Sequence, residues 1–191
     1  PVIREAQKLG IKTAIHEQNA FPGVTTKMLA SKADRVMLAM PEAEKYLKLK
    51  KEPVITGNPV RGELLKISRD EARAKLGLDG RPLILSFGGS LGARHINEAV
   101  TELIKWHNGT GRFYHIHGTG KAGYESVTQA LSGIDLAPQI DVREYINDMD
   151  VCMAAADLVI CRAGAITLSE LCCCGKPSVL IPPPYVAENH Q

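Results

Sequence analysis

The stretch CRAGAITLSEL, residues 161–171, follows the apolar run Ala156-Asp157-Leu158-Val159-Ile160. This order reads as a strand, a Gly/Ala turn and the start of a helix. A helix start directs unpaired backbone N–H groups and a positive partial charge at whatever precedes it, which suits a phosphate. Glu170 lies about one turn into that helix and faces the same opening. A carboxylate there does not attract phosphate, but it can accept hydrogen bonds from the two hydroxyls of a ribose. Phosphate seat and diol acceptor together point to a nucleoside-diphosphate ligand. Glu170 also reads as an ordinary helix-start acid that complements the dipole, and the residues alone leave both readings open.

Outward from this point the chain repeats the same strand–helix unit. Strands are expected at 12–16, 35–40, 53–56, 82–87, 112–117, 140–145, 158–161 and 178–181. Helices are expected at 2–9, 24–32, 70–76, 93–106, 121–131, 148–156 and 167–174, with a short basic helix opening at Pro41. A polar stretch at 62–80 interrupts this rhythm and marks the opening of a second domain, so the expected division is 1–61 and 62–191. Short apolar strands alternating with helices imply an α/β fold, with a parallel sheet covered on both faces. Ligands of such sheets bind beyond the carboxyl ends of the strands, where every glycine-rich or polar cluster of this chain falls.

One of those clusters, Gly88-Gly89-Ser90-Leu91-Gly92-Ala93, joins a strand directly to a helix. Its glycines allow close approach of a ligand and Ser90 offers a hydroxyl, yet a tight structural turn would use the same residues. A dinucleotide-binding fold would want an acid about 20 residues further on, at the end of the next strand. That strand ends His115-Ile116-His117-Gly118, without an acid, which argues against a dehydrogenase.

Composition narrows the field. With 191 residues, 45% of them hydrophobic, the chain can bury one full core or one and a half smaller ones. A net charge of +2 is too balanced to imply nucleic acid, while anionic small molecules remain compatible. No apolar run approaches the roughly 18 residues of a membrane span. The chain begins abruptly in a helix and is expected to be a piece of a longer protein. Its five cysteines include the triplet Cys172-Cys173-Cys174, which points three ways around a helix and so cannot form a compact metal site. They read as small buried apolar side chains in a reducing compartment.

The motifs HEQN with a following PG (16–23), GNPVR (57–61), GGSLGAR (88–94), YINDM (145–149), CRAGAITLSE (161–170) and IPPPYVAENHQ (181–191) occur in this order. Together they resemble the MurG family of bacterial glycosyltransferases, over residues 11–191. The resemblance implies a GT-B fold of two Rossmann-like parallel-sheet domains, here truncated at both ends. Residues 1–61 would close the acceptor-side domain and 62–191 would form most of the domain that binds the sugar donor. The implied reaction moves N-acetylglucosamine from UDP-N-acetylglucosamine onto undecaprenyl-pyrophosphoryl-muramyl-pentapeptide, with inversion, in peptidoglycan synthesis. A peripheral enzyme at the cytoplasmic face of the bacterial membrane follows from that lipid-anchored acceptor.

The resemblance also assigns residues. Ala165, Ile166 and Thr167 would hold the diphosphate, and Glu170 the ribose. The backbone of Ile146 would pair with the uracil edge, and Ser90 and Arg61 would stand near the phosphates. Asn19 would lie on the acceptor side of the cleft, and Gln191 would read the hydroxyls of the transferred sugar. Without the resemblance, Asn19 reads as a turn residue and Gln191 as a terminus. The family's glycine-rich loop and the histidine proposed as its base precede residue 1, so the fragment by itself is expected to be inactive. His16 remains a candidate base, although a structural histidine fits the same position. Leu91 replaces a glutamine common in the family. No cofactor and no metal are expected, because the chain is read as containing no Asp-x-Asp motif. Two alternatives stand beside this reading: a sister enzyme that glycosylates another lipid such as diacylglycerol, and a non-catalytic nucleotide-sugar binding module.

Overall fold

The structure, a computed structural model, describes residues 2–182, which form two compact units that divide between Val60 and Arg61. The first unit runs α1 (Val2–Lys8), β1 (Ala14–Glu17), α2 (Val24–Ala30), β2 (Arg35–Leu38), a 3-10 turn (Pro41–Tyr46) and β3 (Val54–Ile55). Its sheet is parallel in the order β1-β2-β3, with Ala14 opposite Arg35 and Met37 opposite Val54. Ala30, Ala33, Val36, Leu38 and Ala43 form its core. β1 starts two residues later than the sequence pattern suggests. The cause is local: the Asp34 carboxylate accepts the Thr13 N–H at 2.8 Å, so pairing with β2 begins at Ala14.

The second unit begins with a 3-10 turn (Gly62–Leu65) and α3 (Arg69–Lys75), whose start carries a capping box between Ser68 and Glu71. It continues β4 (Leu83–Phe87), α4 (Arg94–His107), β5 (Tyr114–Gly118), α5 (Tyr124–Ala130), β6 (Ile140–Arg143), α6 (Met149–Ala155), β7 (Leu158–Cys161), α7 (Ala165–Cys173) and β8 (Ser178–Leu180). All five strands are parallel, in the order β6-β5-β4-β7-β8. From β4 the chain winds outward through β5 and β6, then returns to place β7 on the other side of β4. That reversal opens a crevice at the carboxyl ends of β4 and β7, where ligands of such sheets bind. The apolar stripe Ile96, Val100 and Ile104 of α4 packs with Val127, Leu131 and Ile140 into one core cluster.

Polar groups pin the opposite end of this sheet. Asp157, just before β7, accepts from the Leu83 backbone N–H at 2.9 Å, from Arg69 at 2.6 Å and from Arg73 at 3.1 Å. The Arg73 side chain is 8% exposed and also donates to the carbonyls of Asp79, Arg81 and Ala155. A buried guanidinium needs this many acceptors, because an unpaired one would carry a large desolvation penalty. The stretch at 62–80 is thereby tied to the amino ends of β4 and β7.

A buried chain of three histidines and a serine runs from the last residue of α4 into β5 and β4. His117 Nδ1 lies 3.2 Å from the Ser86 carbonyl and 2.8 Å from its hydroxyl. The hydroxyl lies 2.8 Å from His115 Nε2, and His115 Nδ1 lies 3.1 Å from His107 Nε2. A carbonyl only accepts, so His117 donates from Nδ1, the Ser86 hydroxyl donates to His115, and His115 donates to His107. Burial pushes the His115 pKa down to about 3 and that of His117 down to about 4, so both fold as neutral rings.

The cysteines differ from the uniformly buried set expected. Cys152 and Cys161 are buried, which pushes their thiols up to about 12 and about 11. Cys172 and Cys173 are exposed and Cys174 is intermediate, because the last turn of α7 emerges from the core after Leu171.

Candidate functional site

The carboxyl ends of β4, β5 and β6 and the first two turns of α7 surround a cavity of about 160 Å³ in the second unit. Phe87, Gly89 and Ser90 follow from β4, Gly118 and Gly120 from β5, and Glu144, Tyr145 and Ile146 from β6. Thr167 and Glu170 of α7 and Arg61, the first residue of the unit, complete its wall with Met149. A larger hollow of about 610 Å³ lies along the groove between α4 and α5. The smaller cavity is the better candidate because strand ends, a helix start and a buried acid converge on it.

α7 begins at Ala165, two residues earlier than expected, because Gly164 takes an extended conformation directly before it. No side chain caps this start. The first bond of the helix runs from Leu168 N–H to the Gly164 carbonyl, which leaves the N–H groups of Ala165, Ile166 and Thr167 without intrahelical acceptors. An uncapped helix start at a strand's carboxyl end is a seat for an anion.

The earlier start changes the reading of Glu170. It becomes the sixth residue of α7, and the first turn holds no acid. Helix-dipole stabilisation fades within the first turn, so that role does not account for burying a carboxylate here. The Glu170 side chain is 8% exposed, and its Oε1 accepts a hydrogen bond from Arg61 Nε at 3.0 Å. Glu170 in turn raises the Arg61 pKa above its already high ordinary value, first through this bond and further through its charge.

The glycines of the 88–92 loop divide between packing and access. A Cβ on Gly88 would stand 2.5 Å from the Ala93 nitrogen, and one on Gly92 would stand 2.3 Å from the Thr119 carbonyl oxygen. Gly89 has φ +91° and nothing within 4 Å of a Cβ position, so its freedom serves the cavity wall. Ser90 is exposed, and its carbonyl accepts the Lys121 N–H at 3.3 Å, which ties this loop to the one after β5. The Ile146 side chain is 5% exposed and covers Gly118, where a Cβ would meet Ile146 Cδ1 at 2.9 Å. Its backbone bonds to no other described residue.

In the first unit, Asn19 donates to Glu17 Oε1 through its backbone N–H at 3.0 Å and its side-chain amide at 3.3 Å. Glu17 also accepts the Gly23 N–H at 3.2 Å. Burial raises the Glu17 pKa, but hydrogen bonds from Thr26, Asn19 and Gly23 outweigh it and leave the carboxylate below its ordinary value. Glu17, which the sequence reading gave no role, is thus the organiser of the HEQNAFPG loop. His16 Nε2 lies 3.1 Å from the Gly57 carbonyl, so it is the protonated nitrogen, and 3.2 Å from Thr56 Oγ1. Gln191 lies outside the described residues.

One Asp-x-Asp spacing does exist, contrary to the expectation above: Asp148-Met149-Asp150. Asp148 Oδ1 is engaged by Arg143 Nη1 at 2.7 Å, and no cluster of three or more His, Cys, Asp or Glu suited to a metal occurs among the described residues. Tyr145 and Met149 are wall residues that sequence reasoning quoted within YINDM without assigning them a task. Arg162, beside the α7 start, has a buried Nε with no partner among the described residues. No helix among the described residues is long and apolar enough to cross a membrane.

A parallel sheet wound in both directions from β4, with its cavity at the reversal, is built as the Rossmann-like units of the GT-B glycosyltransferase fold are. The chain belongs to glycosyltransferase family 28: the C-terminal domain of that family matches residues 83–191, and its N-terminal domain matches residues 1–38. The UDP-N-acetylglucosamine--N-acetylmuramyl-(pentapeptide) pyrophosphoryl-undecaprenol N-acetylglucosamine transferase of Acetivibrio thermocellus is 52% identical over 192 residues, which span all of this chain and 52% of that protein. The protein of the same name from Ruminiclostridium cellulolyticum is 47% identical over 194 residues, again all of this chain and 53% of the relative. The crystal structure of Acinetobacter baumannii MurG superposes with a TM-score of 0.69 at 29% identity, covering 98% of this chain and 50% of that one. The chain therefore spans about half the length of the curated relatives it matches.

Proposed function

We propose that this chain is the donor-binding part, with the end of the acceptor side, of an inverting and metal-independent N-acetylglucosaminyltransferase. The part of the chain from Arg61 onward would take UDP-N-acetylglucosamine, and the part up to Val60 would belong to the acceptor side. The whole protein would pass the sugar to undecaprenyl-pyrophosphoryl-muramyl-pentapeptide at the cytoplasmic face of the membrane. The observation that carries this reading is the buried Glu170 carboxylate, which lines the same cavity as Thr167 at the uncapped start of α7. A nucleoside diphosphate needs both: donors for its phosphates, and an acceptor of fixed position for its ribose hydroxyls.

In the reaction, the acceptor's sugar hydroxyl attacks the anomeric carbon from the face opposite the diphosphate. The bond from that carbon to the diphosphate oxygen breaks and its electron pair leaves with UDP, while the hydroxyl proton passes to a base. The α7 N–H groups, the Thr167 and Ser90 hydroxyls and the Arg61 guanidinium would face the charge that develops on the leaving group. Fixed dipoles and charges of this kind stabilise a transition state without having to reorganise. Gln191 would read the hydroxyls of the transferred sugar and the Ile146 backbone the uracil edge.

The test is a titration of UDP and its 2′,3′-dideoxy analogue into the full-length protein and its Glu170→Ala variant. Hydrogen bonds to a charged group contribute about 1.5–3 kcal/mol, so UDP affinity should fall roughly ten- to a hundredfold in the variant. The wild type should prefer UDP strongly over the analogue, and the variant hardly at all. A variant that discriminates as well as the wild type removes Glu170 from the ribose site and defeats this reading.

A further inference from the structure

We propose that Arg61 is a positioning residue for nucleoside recognition, holding the Glu170 carboxylate in the orientation that meets the ribose hydroxyls. This rests on the reading of Glu170 as the ribose acceptor. The geometry is specific. Arg61 uses Nε, the inner nitrogen of its guanidinium, to donate to Glu170 Oε1 at 3.0 Å. The acid is 8% exposed at its side chain and the arginine 56%, so the cation reaches in from the open side of the cavity to a carboxylate seated in its wall. A carboxylate with one oxygen fixed has lost most of its freedom to rotate, and its remaining lone pairs point in set directions.

The same contact leaves the outer edge of the guanidinium unused. Neither Nη1 nor Nη2 donates to a described residue, and Arg61 shares the cavity wall with Ser90 and Thr167. The guanidinium is a rigid planar fork, so an Nε bond on one side dictates where the terminal nitrogens lie. One group therefore links the acid that reads the sugar ring to the seat of the diphosphate. The consequence separates this role from a plain phosphate contact. Loss of Arg61 weakens a ligand that carries no phosphate at all.

Uridine, 2′,3′-dideoxyuridine and UDP are titrated into the full-length protein and its Arg61→Ala, Arg61→Lys and Glu170→Ala variants. The expected result is that Arg61→Ala weakens uridine by roughly three- to tenfold and reduces its preference over the dideoxy analogue, while UDP loses more, about tenfold or beyond. Arg61→Lys should regain part of the UDP affinity but little of the uridine preference, because an ammonium supplies charge without the fork. Unchanged uridine binding and preference in Arg61→Ala, with UDP alone weakened, overturns the proposal and leaves Arg61 a phosphate contact. An unchanged preference in Glu170→Ala overturns it differently, by removing the ribose site itself. Should Arg61→Ala not fold, Arg61→Lys against wild type decides, since a uridine preference fully retained there has the same overturning force.

Discussion

Gly92 and Gly120 meet backbone to backbone across the tips of β4 and β5: a Cβ on Gly120 would stand 2.1 Å from the Gly92 nitrogen. Both also hold positive φ, +84° and +72°. The two loops that wall the candidate site are thus locked by an absence of side chains. A Gly92→Ala substitution adds backbone strain to an unavoidable collision with Thr119, and should cost about 2–4 kcal/mol of unfolding free energy. Gly89→Ala adds only the strain and should cost about 1–2 kcal/mol. Urea unfolding of the two variants checks this, and equal losses would show that the loop contact does not matter.

Acid should unfold the second unit earlier than its carboxylates alone would. His115 and His117 titrate at about 3 and about 4 in the fold because burial disfavours their charged forms, against an ordinary value of 6.5. A folded pKa below the unfolded one contributes stability that is complete above the unfolded value and is lost as pH falls through that window. Near pH 5 each of the two should therefore have cost about 2 kcal/mol relative to neutral pH. Stability measured by denaturant between neutral pH and pH 5 should fall steeply in the wild type and less steeply in His115→Gln. A flat profile across that interval would mean that these rings are protonated in the fold.

The transfer proposed for the full-length protein should survive excess EDTA with most of its rate intact. The expectation follows from Asp148, whose charge is already partly offset by Arg143 at 2.7 Å, so that it attracts a divalent cation less strongly. Activity that disappears in EDTA and returns with magnesium or manganese would make Asp148-Met149-Asp150 the place to look for the ion.

Much of this was legible in the linear sequence, and the limits have physical causes. The strand β7 and the helix after it could be read from an apolar run ended by Gly164, because both signals are local. Element ends drifted by one to three residues where a side chain intervened, as Asp34 does at β1. Glu170 was visible as an acid near a helix start, but its partner lies 109 residues earlier in the chain and no pattern joins the two. The same holds for Arg73 with Asp157 and for Ser86 with His115 and His117, which the pairing of β4 with β5 brings together. The GGSLGA loop carried two competing readings because glycine serves both, and only the neighbours of each Cβ position separate Gly88 and Gly92 from Gly89.

The Arg73–Asp157 clamp has a consequence for how such a unit can diverge. It fastens the amino ends of β4 and β7, whereas the cavity opens at the carboxyl end of the sheet, so this clamp and the cavity lie at opposite poles of the same strands. Exchanges in the loops at one pole leave the fastening at the other untouched. Cavity-wall positions outside the Gly92–Gly120 contact can thus change one at a time while this clamp continues to hold the sheet together.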